Sequence, residues 1–232
     1  MSWAGILEFG SSWVAFRGRA ADNTTHAHAA LQLTLSADGL VTIHGASGTF
    51  SGPALLVAPG APHAIHAAGI ITLLLIEPQS PIASFLAGPK LQGIAPLSAS
   101  LSDLLDLDAP LANCLDRVLG NVPAPAPVLD ARVAAALECL ALDPSAAAVA
   151  RAAGAVGLST SRLRALATQE LGTSLAAWVM WRKLERAGKS LTGGAGLAEA
   201  AFEAGFSDQA HFTRTMRKVF GITPKMLSQL SR

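Results

Sequence analysis

The 232 residues carry 17 Lys and Arg against 16 Asp and Glu, a formal net charge of +1, with 51% hydrophobic and 14% charged side chains. That composition excludes a disordered chain and leaves ample material for one large core or two modest ones. The longest apolar run, "IITLLLI" at 70–76, falls far short of the ~20 residues of a membrane-spanning helix, and "MSWAGILEFG" lacks the basic and apolar regions of a signal peptide.

In chain order, the first ~75 residues read as short strands bounded by Gly and Pro. "LQLTLSADGLVTIHG" alternates Leu31, Leu33 and Leu35 with polar partners and carries a hairpin signal at Asp38-Gly39 before 40–43. "ALLVAPGAP" and "GIITLLLIE" suggest further strands, and several short strands in succession point to a small barrel or sandwich. From Leu97 the period changes. Leu97, Leu101, Leu104 and Leu105, then Leu111, Leu115 and Leu119, fit helical faces interrupted at Pro110. Such an apolar helix pair suits a homodimer through 97–120, and internal packing is an equal reading. "NVPAPAP" at 121–127 is a semi-rigid linker by its alternating Pro. Cys114 and Cys139 stand in no metal-binding spacing and read as thiols of a reduced compartment, so a soluble, cytoplasmic protein is expected.

After the linker the pattern is helical. A helix is expected over 128–142 and a second through "AAAVARAAGAV", with a turn at Gly157. Ser159 caps a third helix that Gly172 ends, and Ser174 caps a long one, "LAAWVMWRKLERAGKSL". "GLAEAAFEAGF" follows, with Gly205 turning, Ser207 as N-cap and a helix over 208–220 ended by Gly221. The same plan therefore occurs twice: a short Ala-rich helix, a Gly turn, a cap, a second helix. That is the plan of a helix-turn-helix, whose second helix enters the major groove.

Charge divides along the same line. Residues 1–127 hold 4 basic and 8 acidic side chains, whereas 128–232 hold 13 basic and 8 acidic. A basic half joined to an acidic half suggests that only the C-terminal part meets a polyanion. In the second copy Phe212, Met216 and Phe220 recur every four positions as a core face, leaving Gln209, His211, Thr213, Arg214, Arg217 and Lys218 outside. Gln, Arg and Thr can read base edges, and Arg217 and Lys218, deeper along the helix, suit phosphates. In the first copy Leu163, Leu166 and Leu171 are core, and Thr160, Ser161, Arg162 and Arg164 are exposed candidates.

Residues ~128–232 resemble the DNA-binding domain of AraC/XylS-type transcription regulators, two helix-turn-helix units joined by one long helix. "AGFSDQAHFTRTMRKVFGITP" is similar to the C-terminal signature of that family, and "LERA" at 184–187 fits the connecting helix. The resemblance implies base-facing roles for Gln209, His211, Thr213 and Arg214, and for Thr160, Ser161, Arg164 and Ala165 in the first unit. Two departures stand out: Ala165 replaces a polar or basic residue, and Ala167 a bulky apolar one, so a looser first unit is expected.

Five of the six histidines lie between 26 and 66. His26, His28 and Gln32 share one face of a strand, whereas His63 and His66 cannot both face inward from one. The first half resembles a cupin barrel, as in the sensor domains of many AraC/XylS-type regulators. Metal-binding cupins use His-x-His, a carboxylate and a later His; here Gln32 takes the carboxylate place. His26, His28 and His63 could hold Zn²⁺, Ni²⁺ or Fe²⁺, or these residues with Gln32 line a metal-free pocket, or Leu31, Leu33 and Leu35 form the core face and turn them to solvent.

The expected architecture is α+β with two domains. A cupin-like barrel (1–80) precedes an interface segment (81–120), a linker (121–127) and a double helix-turn-helix domain (128–232). The expected function is sequence-specific binding of double-stranded DNA under control of a small-molecule or metal effector. The alternatives are a metal-dependent cupin enzyme with a helical appendage and a constitutive DNA-binding protein whose barrel only dimerises. No nucleophile with a base is apparent, since Ser159 and Ser207 are helix caps by position, so no catalytic residue is assigned.

Overall fold

The computed structural model describes residues 3–36, 39–66, 69–88, 90–106, 108–123 and 129–230. Nine strands come first: β1 (Ala4–Phe9), β2 (Trp13–Arg19), β3 (Leu31–Ser36), β4 (Val41–Gly45), β5 (Gly48–Gly52), β6 (Ala54–Val57), β7 (His63–His66), β8 (Ile70–Ile76) and β9 (Ile94–Pro96). They form two antiparallel sheets, ordered β1-β2-β8-β3-β6-β9 and β5-β4-β7. The expected small barrel is not closed; no ladder joins the two sheets among the described residues.

The hairpin signal after Leu35 does not make a hairpin. β3 lies between β8 and β6, with Leu33 opposite Leu74 on one side and Leu56 on the other, while β4 pairs with β5 and β7 in the second sheet. Asp38 itself lies outside the described residues. The physical reason is that β3 is buried on both faces, so it occupies the middle of the large sheet. Leu31, Leu33 and Leu35 face one core with Leu74, Ile76 and Leu56, and Gln32 and Thr34 are buried on the other side. The alternation was legible, yet the polar side does not meet solvent.

Covering the leucine face are α1 (Pro81–Ala87), α2 (Ala99–Ser102), a 3-10 turn at Leu111–Asn113 and α3 (Asp116–Asn121). The apolar helix pair expected over 97–120 is thus a set of short turns. Leu97, Leu105, Leu111 and Leu115 are buried against the sheet, Leu101 and Leu104 pack beside them, and Leu119 is 49% exposed. Internal packing takes most of the surface that the dimer reading required. Cys114 is buried in this layer, which pushes its thiol up to about 11 and makes it inert at neutral pH.

The second half is helical. α4 (Ala131–Leu142) starts three residues later than expected, capped by Asp130, and residues 124–128, which include most of the linker, lie outside the described ones. α5 (Ala146–Ala155), α6 (Thr160–Leu171) and α7 (Leu175–Thr192) follow, with Ser159 and Ser174 as caps and Gly172 closing α6 at φ 66. α8 (Leu197–Glu203), α9 (Gln209–Phe220) and α10 (Pro224–Leu227) complete the chain. Among the described residues no helix is long and apolar enough to cross a membrane.

Candidate functional site

The two expected reading helices each bury one face and present the other. In α6, Leu163, Leu166, Ala167 and Leu171 are buried; Ser161, Arg162, Arg164 and Ala165 are exposed and Thr160 half-buried. Ala167 is fully covered, so its small size leaves no opening to solvent in the first unit. In α9, Phe212 and Met216 are buried, Gln209, Arg214, Arg217 and Lys218 are exposed, and His211 and Thr213 half-buried.

Capping of α9 departs from expectation by one residue. Asp208, not Ser207, is the N-cap, its Oδ1 accepting from the His211 backbone N–H at 2.6 Å. Of two adjacent cap-capable residues, the carboxylate also favours the positive end of the helix, and that hydrogen bond holds its pKa below the ordinary value. Ser207 instead bonds to Asp208 Oδ2 and to His211 Nδ1, each at 3.1 Å. His211 also packs edge-on to Phe206, with ring centroids 5.3 Å apart, and is therefore partly committed to its own helix end.

Charge on this surface is left available. Arg162, Arg164, Arg214, Arg217 and Lys218 take part in no ion pair among the described residues. Several other cations of the basic half are structural. Lys183 donates to the Gly205 carbonyl at 2.8 Å, and Arg186 donates to Leu142 O at 2.9 Å. Composition alone could not separate these two groups, since the distinction lies in which helix face each occupies.

The histidines converge as well. His26, His28 and His63 are 6%, 3% and 1% exposed, so the solvent-facing reading is overturned, because helices and the second sheet cover the side of β3 opposite its leucines. His26 and His63 form an isolated antiparallel bridge, each N–H donating to the other's carbonyl at 2.9 Å. His66, three residues on, points out and meets Asp22 at 3.0 Å; His44 is an ordinary exposed strand residue bonded to Thr49. One ligand nitrogen from each buried ring lies within 4.8 Å of the others.

Each ring is oriented from behind. Nδ1 of His26, His28 and His63 contacts the carbonyls of Thr24, Ala30 and Ala61 at 2.9, 3.1 and 2.9 Å. A carbonyl only accepts, so each Nδ1 carries the proton and each Nε2 offers a lone pair. Nε2 of His28 and of His63 lie 3.1 and 3.0 Å from Gln32 Oε1, and the Gln32 amide nitrogen donates to Thr34 Oγ1 at 3.1 Å. Burial, then repulsion from His63, lowers the His26 pKa to about 4; burial also lowers those of His28 and His63. All three are neutral at pH 7.

His26, His28 and Gln32 line a cavity of about 90 Å³ between the two halves of the chain, with His63 behind them. Trp3, Phe16 and Leu75 form its sheet side; Trp181, Met216 and Phe220 form its helical side. Phe220 packs against His28 and Trp181, with ring centroids 5.9 and 5.7 Å apart. Around the cavity a polar frame joins the halves. Arg182 pairs with Glu77 and, at 2.7 Å, with Glu185; Lys189 meets Glu185 at 2.7 Å, and Trp178 Nε1 donates to Gln79 Oε1 at 3.1 Å. Sequence reasoning missed Asn23, Glu77, Gln79, Trp178, Trp181 and Glu185, since no local pattern marks residues that meet across a domain boundary.

Residues 152–229 match a family described as a helix-turn-helix domain. The whole chain resembles ToxT from Vibrio cholerae. A structure of unsaturated fatty acid-bound ToxT from strain SCE256 is 10% identical, with 96% of this chain and 97% of that one covered and a TM-score of 0.61. ToxT in a 1.65 Å structure gives 10% identity, 96% and 100% coverage and 0.62. ToxT from strain O395 bound to (E)-4-(8-methylnaphthalen-1-yl)but-3-enoic acid gives 10%, 94% and 100%, and 0.56. No curated protein matches the sequence.

Proposed function

We propose that the chain is an AraC/XylS-type DNA-binding regulator in which an apolar effector, bound in the cavity between its halves, controls how it reads DNA. One observation carries the reading: α9 presents an exposed polar and basic face on one side and forms cavity wall on the other. Its outer face presents Gln209, Thr213, Arg214, Arg217 and Lys218, and its inner face contributes Met216 and Phe220 to the cavity. An effector that prefers one packing of that wall biases the position of the helix, which is the differential affinity that switching requires.

In this reading α6 and α9 dock in successive major-groove segments about 34 Å apart. Gln209, Thr213 and Arg214 meet base edges, with His211 at the edge of that set. Thr160, Ser161 and Arg164, beside Ala165, do the same for the first unit, while Arg162, Arg217 and Lys218 meet phosphates. The sensor spans 1–80 with its cover at 81–120, and the reader spans 128–232. ToxT with a bound fatty acid supplies a precedent for an apolar ligand in this fold. A homodimer through 97–120 would rest on exposed Leu119, and light scattering tests it. The chain is proposed to act as a cytoplasmic regulator without enzymatic turnover.

The test is selection of a binding site from random duplex DNA by the full chain, followed by titration of Arg214→Ala. Recovery of no preferred sequence would sink the regulator's specificity as read here.

A second reading concerns the histidines. Three neutral imidazoles, each with its Nδ1–H on a backbone carbonyl, are arranged as metal ligands usually are. His26, His28 and His63, with Gln32 Oε1 as a fourth donor, would hold Zn²⁺, Ni²⁺ or Fe²⁺. An amide turned the other way, donating to both rings, satisfies the cluster without metal. Metal content of untagged protein, with His26→Ala and His63→Ala beside it, separates the two.

A further inference from the structure

We infer that the interdomain cavity takes an uncharged apolar molecule with one hydrogen-bonding head, an alcohol or amide, in preference to a carboxylate. This rests on the cavity being the effector pocket, and it parts company with the acids named for ToxT.

The first ground is charge. No Lys or Arg is among the described residues that line the cavity, and the charged side chain in its wall is Glu185, an anion. The nearest cations are already engaged: Arg182 with Glu77 and Glu185, and Lys189 with Glu185. A ligand carboxylate would therefore leave water without a counter-ion and arrive beside an existing negative charge.

The second ground is hydrogen bonding. Trp3 and Trp181 line the cavity at 6% and 1% exposure, and the indole N–H of each is buried with no partner among the described residues. An unpaired buried donor is unusual enough to need a reason. A neutral oxygen on the ligand supplies an acceptor for such a donor, and an imidazole nitrogen of His26, which also lines the cavity, can accept a hydroxyl or amide proton. The head group that satisfies both is neutral and carries an oxygen. The cavity is small, about 90 Å³, so short-chain ligands are the appropriate probes.

The experiment is isothermal titration calorimetry of the full chain at neutral pH with a chelator present, using 1-hexanol, hexanamide and hexanoate. The alcohol and the amide should bind, with hexanoate weaker by about 30-fold or more for its uncompensated charge. Trp181→Phe keeps an aromatic side chain, removes the N–H donor and should weaken the alcohol by roughly 2–10-fold more than it weakens hexane, which controls for the lost ring area. Hexanoate binding as well as hexanol would overturn the inference. Hexanoate binding tightly only after Zn²⁺ is added would also overturn it, and would give the head group to metal on the histidines. Unchanged hexanol affinity in Trp181→Phe would remove the indole from the site. Binding by none of the three probes would overturn the pocket reading itself.

Discussion

Asn23 and Phe220 are joined across the two halves of the chain, the Asn23 amide nitrogen donating to the Phe220 carbonyl at 3.4 Å. The other end of the same amide accepts from the Ile65 backbone N–H at 2.8 Å, so one side chain ties the end of α9 to β7. Asn23→Ala leaves a buried N–H without its acceptor and should cost roughly 1–3 kcal/mol. Denaturant unfolding reads the loss, and hydrogen exchange should quicken at 217–221. Unchanged exchange there would show that the bond does not hold the helix end.

Gly172 and Gly221 end α6 and α9 in the same left-handed conformation, at φ 66 and 70. Their surroundings differ. A Cβ on Gly172 would meet open space, whereas one on Gly221 would lie 2.6 Å from the Thr24 carbonyl. Both Gly→Ala changes should cost about 1–2 kcal/mol for the backbone conformation. Gly221→Ala should cost more, because the halves must separate to admit the methyl group. Equal losses in thermal unfolding would count against close docking.

Arg214 and Lys218 are both exposed on α9 and free of ion pairs among the described residues, yet they should fail differently. Arg214→Ala should cost ~1–3 kcal/mol on the preferred site and relax specificity there. Lys218→Ala should weaken binding to every sequence and reduce the salt slope by about one unit. Equal losses on specific and random DNA for Arg214→Ala would remove it from the base readers.

Glu77 gives a pH dependence. Burial raises its pKa above the ordinary carboxylate value, and the Arg182 charge offsets only part of that. The folded state therefore holds this proton more tightly than the unfolded state, so the contribution of Glu77 to stability grows as pH falls and shrinks as pH rises through the folded-state pKa. Glu77→Gln should be at least as stable as the parent at neutral pH, with the difference closing under acid conditions. A large loss at neutral pH would mean that the ion pair with Arg182 outweighs burial.

The double helix-turn-helix was legible because its signals are local: Ser159, Ser174, Gly172 and Gly221 each act through the turn in which they stand. Even the misplaced cap of α9 is an exchange between two adjacent cap-capable residues, Ser207 and Asp208. The strand order was not legible. β3 finds β8 some 40 residues away, and nothing near Leu35 encodes that partner. His26, His28 and Gln32 announced a shared face through their spacing, but their burial depends on helices from the other half of the chain. Asn23, Glu77 and Gln79 are ordinary polar residues until the two halves meet.

The double duty of α9 has a consequence for anyone wishing to reprogram this protein toward a new operator. Transplanting the whole helix from a relative would replace Met216 and Phe220 together with the proposed base readers, and so rebuild the wall of the cavity proposed to hold the effector. Altered effector response would then be an inherited side effect of altered DNA preference. α6 contributes no residue to that cavity, so it is the cartridge that can be exchanged whole. In α9 the edits belong at 209, 213 and 214, one side chain at a time.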